Sequence, residues 1–88
     1  MSIPNILEER GKTHGPFKEQ ATWSHNMKRA MRCPDGWDNL SPHQREALDM
    51  IAQKISRALH GNPNEIDHWR DVAGYAQLIV RELEGDNA

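Results

Sequence analysis

Two pairs of carboxylates and a scattered basic set are the groups in this sequence that could do chemistry. Glu46 and Asp49 stand three residues apart and Asp67 and Asp71 four apart, so on helices each pair shares a side. Hard oxygen ligands grouped on facing helices can hold Mg²⁺, which binds substrate phosphates and polarises an attacking water. The other use of such pairs is charge matching, and Lys54 and Arg57 lie in the preceding segment, placed to meet Asp67 and Asp71. The turn His14-Gly15-Pro16 precedes a helix start beside Lys12 and Lys18, and helix N–H groups next to cations form an anion pocket. The candidate binding residues are therefore Lys12, His14, Lys54, Arg57, Asp67 and Asp71, with Lys12, Lys54 and Arg57 nearest a bound nucleotide. His14, His25, His43, His60 and His68 lack compact metal spacing, and Cys33 has no evident base beside it.

These groups are positioned by three long helices, expected at about 16–33, 42–60 and 63–84. Gly15-Pro16, Ser41-Pro42 and Asn62-Pro63 each set a capping residue before a proline, which is tolerated in the first helical turn. Ser41 with Gln44 and Asn62 with Glu65 have capping-box spacing. Pro34, Gly61 and Gly85 supply the stops, and Gly11 is expected to end a short helical turn begun near residue 4. Only Gly61 and Asn62 separate the last two expected helices, which predicts an antiparallel hairpin. In the 34–41 loop, Trp37 and Leu40 are expected to fold back onto the bundle.

Helical periodicity assigns core faces to Trp23, Met27, Ala30 and Met31; to Leu48, Ile51, Ala52, Ile55 and Leu59; and to Trp69, Val72, Ala73, Ala76, Ile79, Val80 and Leu83. A second stripe on the last helix follows i, i+4, i+7, i+11 spacing through Asp67, Asp71, Gly74 and Leu78. A mid-helix glycine costs about 1 kcal/mol against alanine and often marks close backbone approach. Met50 is likewise an apolar residue in a polar stripe, so Met50, Gly74 and Leu78 form a candidate self-association surface.

Length and composition set the bounds. With 88 residues, 36% of them hydrophobic, the chain is expected to be one domain, 1–88, with an arm at 1–15 and a frayed tail at 85–88, and a small core that favours oligomers. A single cysteine excludes an internal disulfide and fits a reducing cytosol. No segment approaches the roughly 20 apolar residues of a membrane span. Residues 1–33 carry a net charge of +3 and residues 34–88 of −5, too small a basic excess for an expected nucleic-acid partner.

Lys12-Thr-His-Gly-Pro-Phe17, Glu46-Ala-Leu-Asp-Met-Ile-Ala-Gln-Lys54 and Asp67-His-Trp-Arg-Asp-Val-Ala-Gly-Tyr-Ala-Gln-Leu78 together resemble a small phage and prophage protein family of uncharacterised function. Members of that family usually carry Asp where this chain has Pro16. A more distant resemblance runs to MazG-like all-α nucleotide pyrophosphohydrolases, whose second metal motif is Glu-x-x-Asp. Asp71 matches the end of that motif, but His68 stands at its Glu and no Glu-x-x-Glu precedes it, Glu46-x-x-Asp49 being the nearest substitute.

The resulting expectation is a small cytoplasmic all-α bundle, phage-encoded and homo-oligomeric. It would bind a host protein, as a host-defence inhibitor does, or a nucleotide, without catalysis and without a cofactor. The alternative is a Mg²⁺-dependent nucleoside triphosphate pyrophosphohydrolase with Glu46, Asp49 and Asp71 as metal ligands.

Overall fold

A computed structural model describes residues 3–85, and the described residues form helices and connecting turns. The order is α1 (Ile3–His14), α2 (Phe17–Met31), a 3₁₀ turn (Asp35–Asn39), α3 (Pro42–His60) and α4 (Ile66–Leu83). The expected 42–60 helix has its predicted bounds; the others shift at their ends. α1 is a full helix rather than a short turn: Gly11 lies inside it, and Gly15, at φ +83°, ends it by donating its N–H to the Gly11 carbonyl at 2.9 Å. Pro16 then caps α2 with no side-chain hydrogen bond.

The capping box at α3 forms as predicted. Gln44 N–H donates to Ser41 Oγ at 3.1 Å, and Ser41 N–H donates to Gln44 Oε1 at 2.9 Å. The one expected at Asn62 does not. Asn62 Oδ1 accepts instead from Asn64 N–H at 3.0 Å, and α4 begins only after Glu65, which makes no side-chain cap. The hairpin loop is therefore 61–65, an Asx turn having outcompeted the cap. Gly61, at φ −116° and ψ −131°, is neither left-handed nor extended.

Trp37 does fold back, with Arg32 4.5 Å and Arg45 5.7 Å from its ring centre, and Arg45 Nε donates to its carbonyl at 3.3 Å. Leu40 reaches the groove between α3 and α4. The 86–88 part of the expected tail lies outside the described residues.

α3 is the middle of a layer, packed against α2 on one side and α4 on the other, while α1 lies against α3 and α2. Small side chains make the α2–α3 approach close: Ser24, Ala52 and Ser56 are buried there, and Ser56 Oγ donates to the Gln20 carbonyl at 2.6 Å. Across the other seam His43 Nδ1 lies 3.0 Å from Glu82 Oε1 and Lys54 Nζ 3.0 Å from Asp71 Oδ2. The thinnest dimension, 22 Å, is about two helix diameters.

Burial corrects the expected core. Among the described residues the buried apolar side chains are Ala47 and Ala52, joined by the polar Gln20, Ser24, Ser56 and His68. Ile51, Val72 and Ile79 are half-buried, whereas Leu48, Ile55, Leu59, Trp69, Ala73, Ala76, Val80 and Leu83 are exposed. An open layer covers only the flanks of its middle helix, so the apolar stripes that periodicity assigned to a core lie on one uncovered side.

Candidate anion cleft

Two chain corners clasp each other and thereby place the polar residues. The α1–α2 corner at Thr13–Gly15 lies backbone to backbone on the α3–α4 corner at His60–Asn62. A Cβ at Gly15 would run into the His60 carbonyl, and one at Gly61 into the Thr13 carbonyl and the Gly15 nitrogen. Glycine at both positions is what allows the approach. The Thr13 carbonyl accepts from Asn62 N–H at 2.9 Å and from His68 Nε2 at 2.9 Å. His68 is thus a buried strut between α4 and α1, with the His14 ring 5.5 Å from its own.

Beside the clasp, α1, α2 and α3 enclose a cleft of about 870 Å³ whose lining includes Leu7, Arg10, His14, Phe17, Gln20, Gln53 and Arg57. Three features make it suited to an anion. Arg57 Nε is buried with no hydrogen-bond partner, an arrangement that costs free energy until an acceptor arrives. Arg10 and Arg57 have no ion pair among the described residues. The first turn of α2, uncapped by any side chain, opens on the same cleft at Pro16 and Phe17.

The local field is positive. Burial, then Arg57, His68, Lys54 and Arg10 hold the His14 pKa below its ordinary value, so its ring is neutral near pH 7 although cations surround it. Lys54 is largely covered, its side chain 12% exposed, and its charge is matched by Asp71. Apolar surface adjoins the cations: Phe17 is 79% exposed and Leu7 is also exposed, both on the cleft wall.

Of the sequence-derived candidates, His14 and Arg57 line the cleft and Lys54 and Asp71 stand behind it as a pair. Lys12 does not take part; its ammonium points into solvent, 3.7 Å from Glu8 one turn back. Asp67 is exposed and makes no ion pair among the described residues. Arg10, Phe17, Gln20 and Gln53 were not among the candidates. Phe17 follows Pro16 at a helix start, a position that periodicity assigns to the edge of a core.

The carboxylates do not form the arrangement that Mg²⁺ would need. Asp49 turns toward α2, where Arg32 holds both its oxygens at 3.1 and 2.7 Å, while Asp71 is held by Lys54 at the opposite seam and Glu46 is exposed. Among the described residues no three His, Cys, Asp or Glu gather as a metal site. Glu46, Asp49 and Asp71 therefore do not fit a shared ion.

Met50 is half-buried, and Gly74 and Leu78 line a shallow groove of about 350 Å³ with Arg70, Asp71 and Tyr75. A Cβ at Gly74 would meet no other element within 4 Å among the described residues, so the close backbone contact expected there is not made by α1, α2 or α3.

A family model matches residues 4–83. The chain belongs to the family described as a domain of unknown function, DUF6378. The DUF6378 segment takes in the whole cleft, both corners of the clasp and the Lys54–Asp71 pair. Comparison with curated proteins and with solved structures gives no match.

Proposed function

We propose that this DUF6378 protein binds a nucleotide in the cleft between α1, α2 and α3 and does so without catalysis. The observation that carries the reading is the buried, unpartnered Nε of Arg57 beside Arg10 and His14. A guanidinium so placed donates to phosphate oxygens in a planar fork. Phe17 and Leu7 supply apolar surface on which a base can lie, and Gln20 and Gln53 add groups able to read its edge. The resemblance to phage and prophage proteins implies a setting in an infected host cell, where the protein would withdraw a nucleotide from host enzymes.

Calorimetric titration of the purified protein with ATP, dATP, GTP and UMP in EDTA tests this. Saturable binding is expected, and Arg57→Gln should weaken it about tenfold or more, since a hydrogen bond to a charged group contributes about 1.5–3 kcal/mol. No binding of any of the four at millimolar concentration would end the proposal. The same samples given Mg²⁺ should release no pyrophosphate; release that vanishes in Asp71→Asn would favour the pyrophosphohydrolase reading. Recovery of one host protein from lysate, with no nucleotide bound, would favour a host-protein binder.

Affinity should rise as the pH falls from about 7.5 to about 6. Free His14 is neutral because burial and its cationic neighbours depress its pKa; a phosphate beside it favours the imidazolium, so binding takes up a proton. His14→Gln should remove that part of the slope, and a slope unchanged in the variant would exclude His14 from the site. The sign for folding is opposite. The unfolded chain takes up this proton first, so His14 lowers stability as the pH falls below about 6.5.

A further inference from the structure

We propose that the uncovered apolar face of the α2–α3–α4 layer packs against the same face of a second copy of this chain. On α3 the face runs through Leu48, Ile55 and Leu59, spaced i, i+7, i+11; on α4 it includes Trp69, Ala76 and Val80, spaced i, i+7, i+11. The groove between the two helices, lined by Leu48, Ala76 and their neighbours, joins the two stripes into one surface. Leu59 is 63% and Trp69 60% exposed. The Trp69 ring is already oriented, its Nε1–H donating to the Pro63 carbonyl at 2.7 Å, as suits an interface anchor.

Area argues for a partner of the chain's own size. A folded monomer of 10.1 kDa is expected to expose about 5,300 Å² by mass scaling, whereas this chain exposes 6412 Å². The excess, about 1,100 Å², is spread over the whole open layer and is of the same order as the roughly 800 Å² that each partner buries in a standard interface. Among the described residues the buried apolar side chains are two alanines, so covering the exposed stripes would add apolar burial that the single chain lacks. The partner present whenever the chain is made is another copy, and an isologous pairing satisfies both faces at once.

This face is not the one that Met50 and Leu78 mark. Arg57 follows Ile55, and Leu78 follows Ala76, by two residues, about 200° around a helix, so the cleft and the Asp71–Leu78 stripe lie on the reverse side. The dimer would carry two clefts facing outward, and its formation does not depend on what they bind.

Sedimentation equilibrium of the wild-type protein at about 20 and 200 μM should return twice the chain mass. In a mixture of ¹³C-labelled and unlabelled copies, filtered nuclear Overhauser spectra should show intermolecular contacts to methyls of Leu48, Ile55, Leu59 and Val80. Leu78→Lys should stay dimeric, while Leu59→Lys should fall to single-chain mass or lose its fold. A wild-type monomer, intermolecular contacts confined to Met50 and Leu78, or a native Leu59→Lys dimer would each overturn the proposal. The wild-type spectra decide the question even where Leu59→Lys does not fold.

Discussion

Gly61→Ala should destabilise the protein by about 2 kcal/mol or more, a large loss for one added methyl group. The loss does not come from a left-handed backbone, since φ at Gly61 is −116°. It comes from position: the new Cβ meets the Thr13 carbonyl and the Gly15 nitrogen, backbone atoms that cannot swing aside as a side chain would. Relieving the clash separates the two corners, which also weakens the hydrogen bonds that Asn62 and His68 donate to the Thr13 carbonyl. Gly15→Ala should be at least as damaging, because it combines a clash against the His60 carbonyl with a left-handed φ of +83°. Gly74→Ala gives the contrast. That glycine is helical and exposed with nothing near it, so alanine should stabilise by up to about 1 kcal/mol. Urea unfolding of the three variants at matched protein concentration measures the differences. A Gly61→Ala protein within about 0.5 kcal/mol of wild type would show that the corners are not clasped.

The second large effect is expected at Asp71. Lys54 is largely covered and lies in the same positive region as Arg57, Arg10 and His14, and Asp71 is the carboxylate that balances it at 3.0 Å. Asp71→Asn keeps the side-chain size but leaves that ammonium without its counter-charge, so stability should fall by about 1–2 kcal/mol, toward the low end because Asp71 itself is half exposed. The metal alternative makes the opposite forecast: relief of carboxylate repulsion in the metal-free protein and loss of a Mg²⁺-dependent rise in melting temperature. Thermal melts of wild type and Asp71→Asn, each with EDTA and with Mg²⁺, separate the two. A mutant that melts higher in EDTA and no longer responds to Mg²⁺ would refute the charge pair and restore the carboxylates as a site.

Much of the local structure was legible from residue order because its causes are local. Ser41 and Gln44 lie within one helical turn, so the box that starts α3 needs nothing distant. Gly85 stops α4 with φ +81° for the same reason. That Lys54 or Arg57 could meet Asp67 or Asp71 was readable as well, since a short loop between two helices forces them antiparallel, but only the structure selects Lys54 with Asp71 and leaves Asp67 and Arg57 out. Local competition already exceeded what the sequence could settle at Asn62, where an Asx turn and a capping box were both available and the turn formed. At Gly15 the sequence pointed to the start of α2 and placed the stop of α1 at Gly11, whereas it is Gly15 that ends α1.

The tertiary arrangement decided which faces are covered, and with that the nature of the site. Periodicity identifies an apolar side of a helix but carries no information about what lies against it. The stripes through Leu59 and Trp69 therefore read as core although the layer leaves them open. Arg10 and Lys12 are near neighbours in sequence and equivalent in charge; only the packing of α1 on α2 and α3 turns Arg10 into the cleft and Lys12 out to Glu8. Asp49 and Asp71 had matching credentials as metal ligands until α3, set between α2 and α4, directed one to Arg32 and the other to Lys54. Residue types and spacing determined three long amphipathic segments and a shared set of charges. Long-range packing chose their neighbours, because burial and ion pairing depend on distances across elements that no local rule specifies.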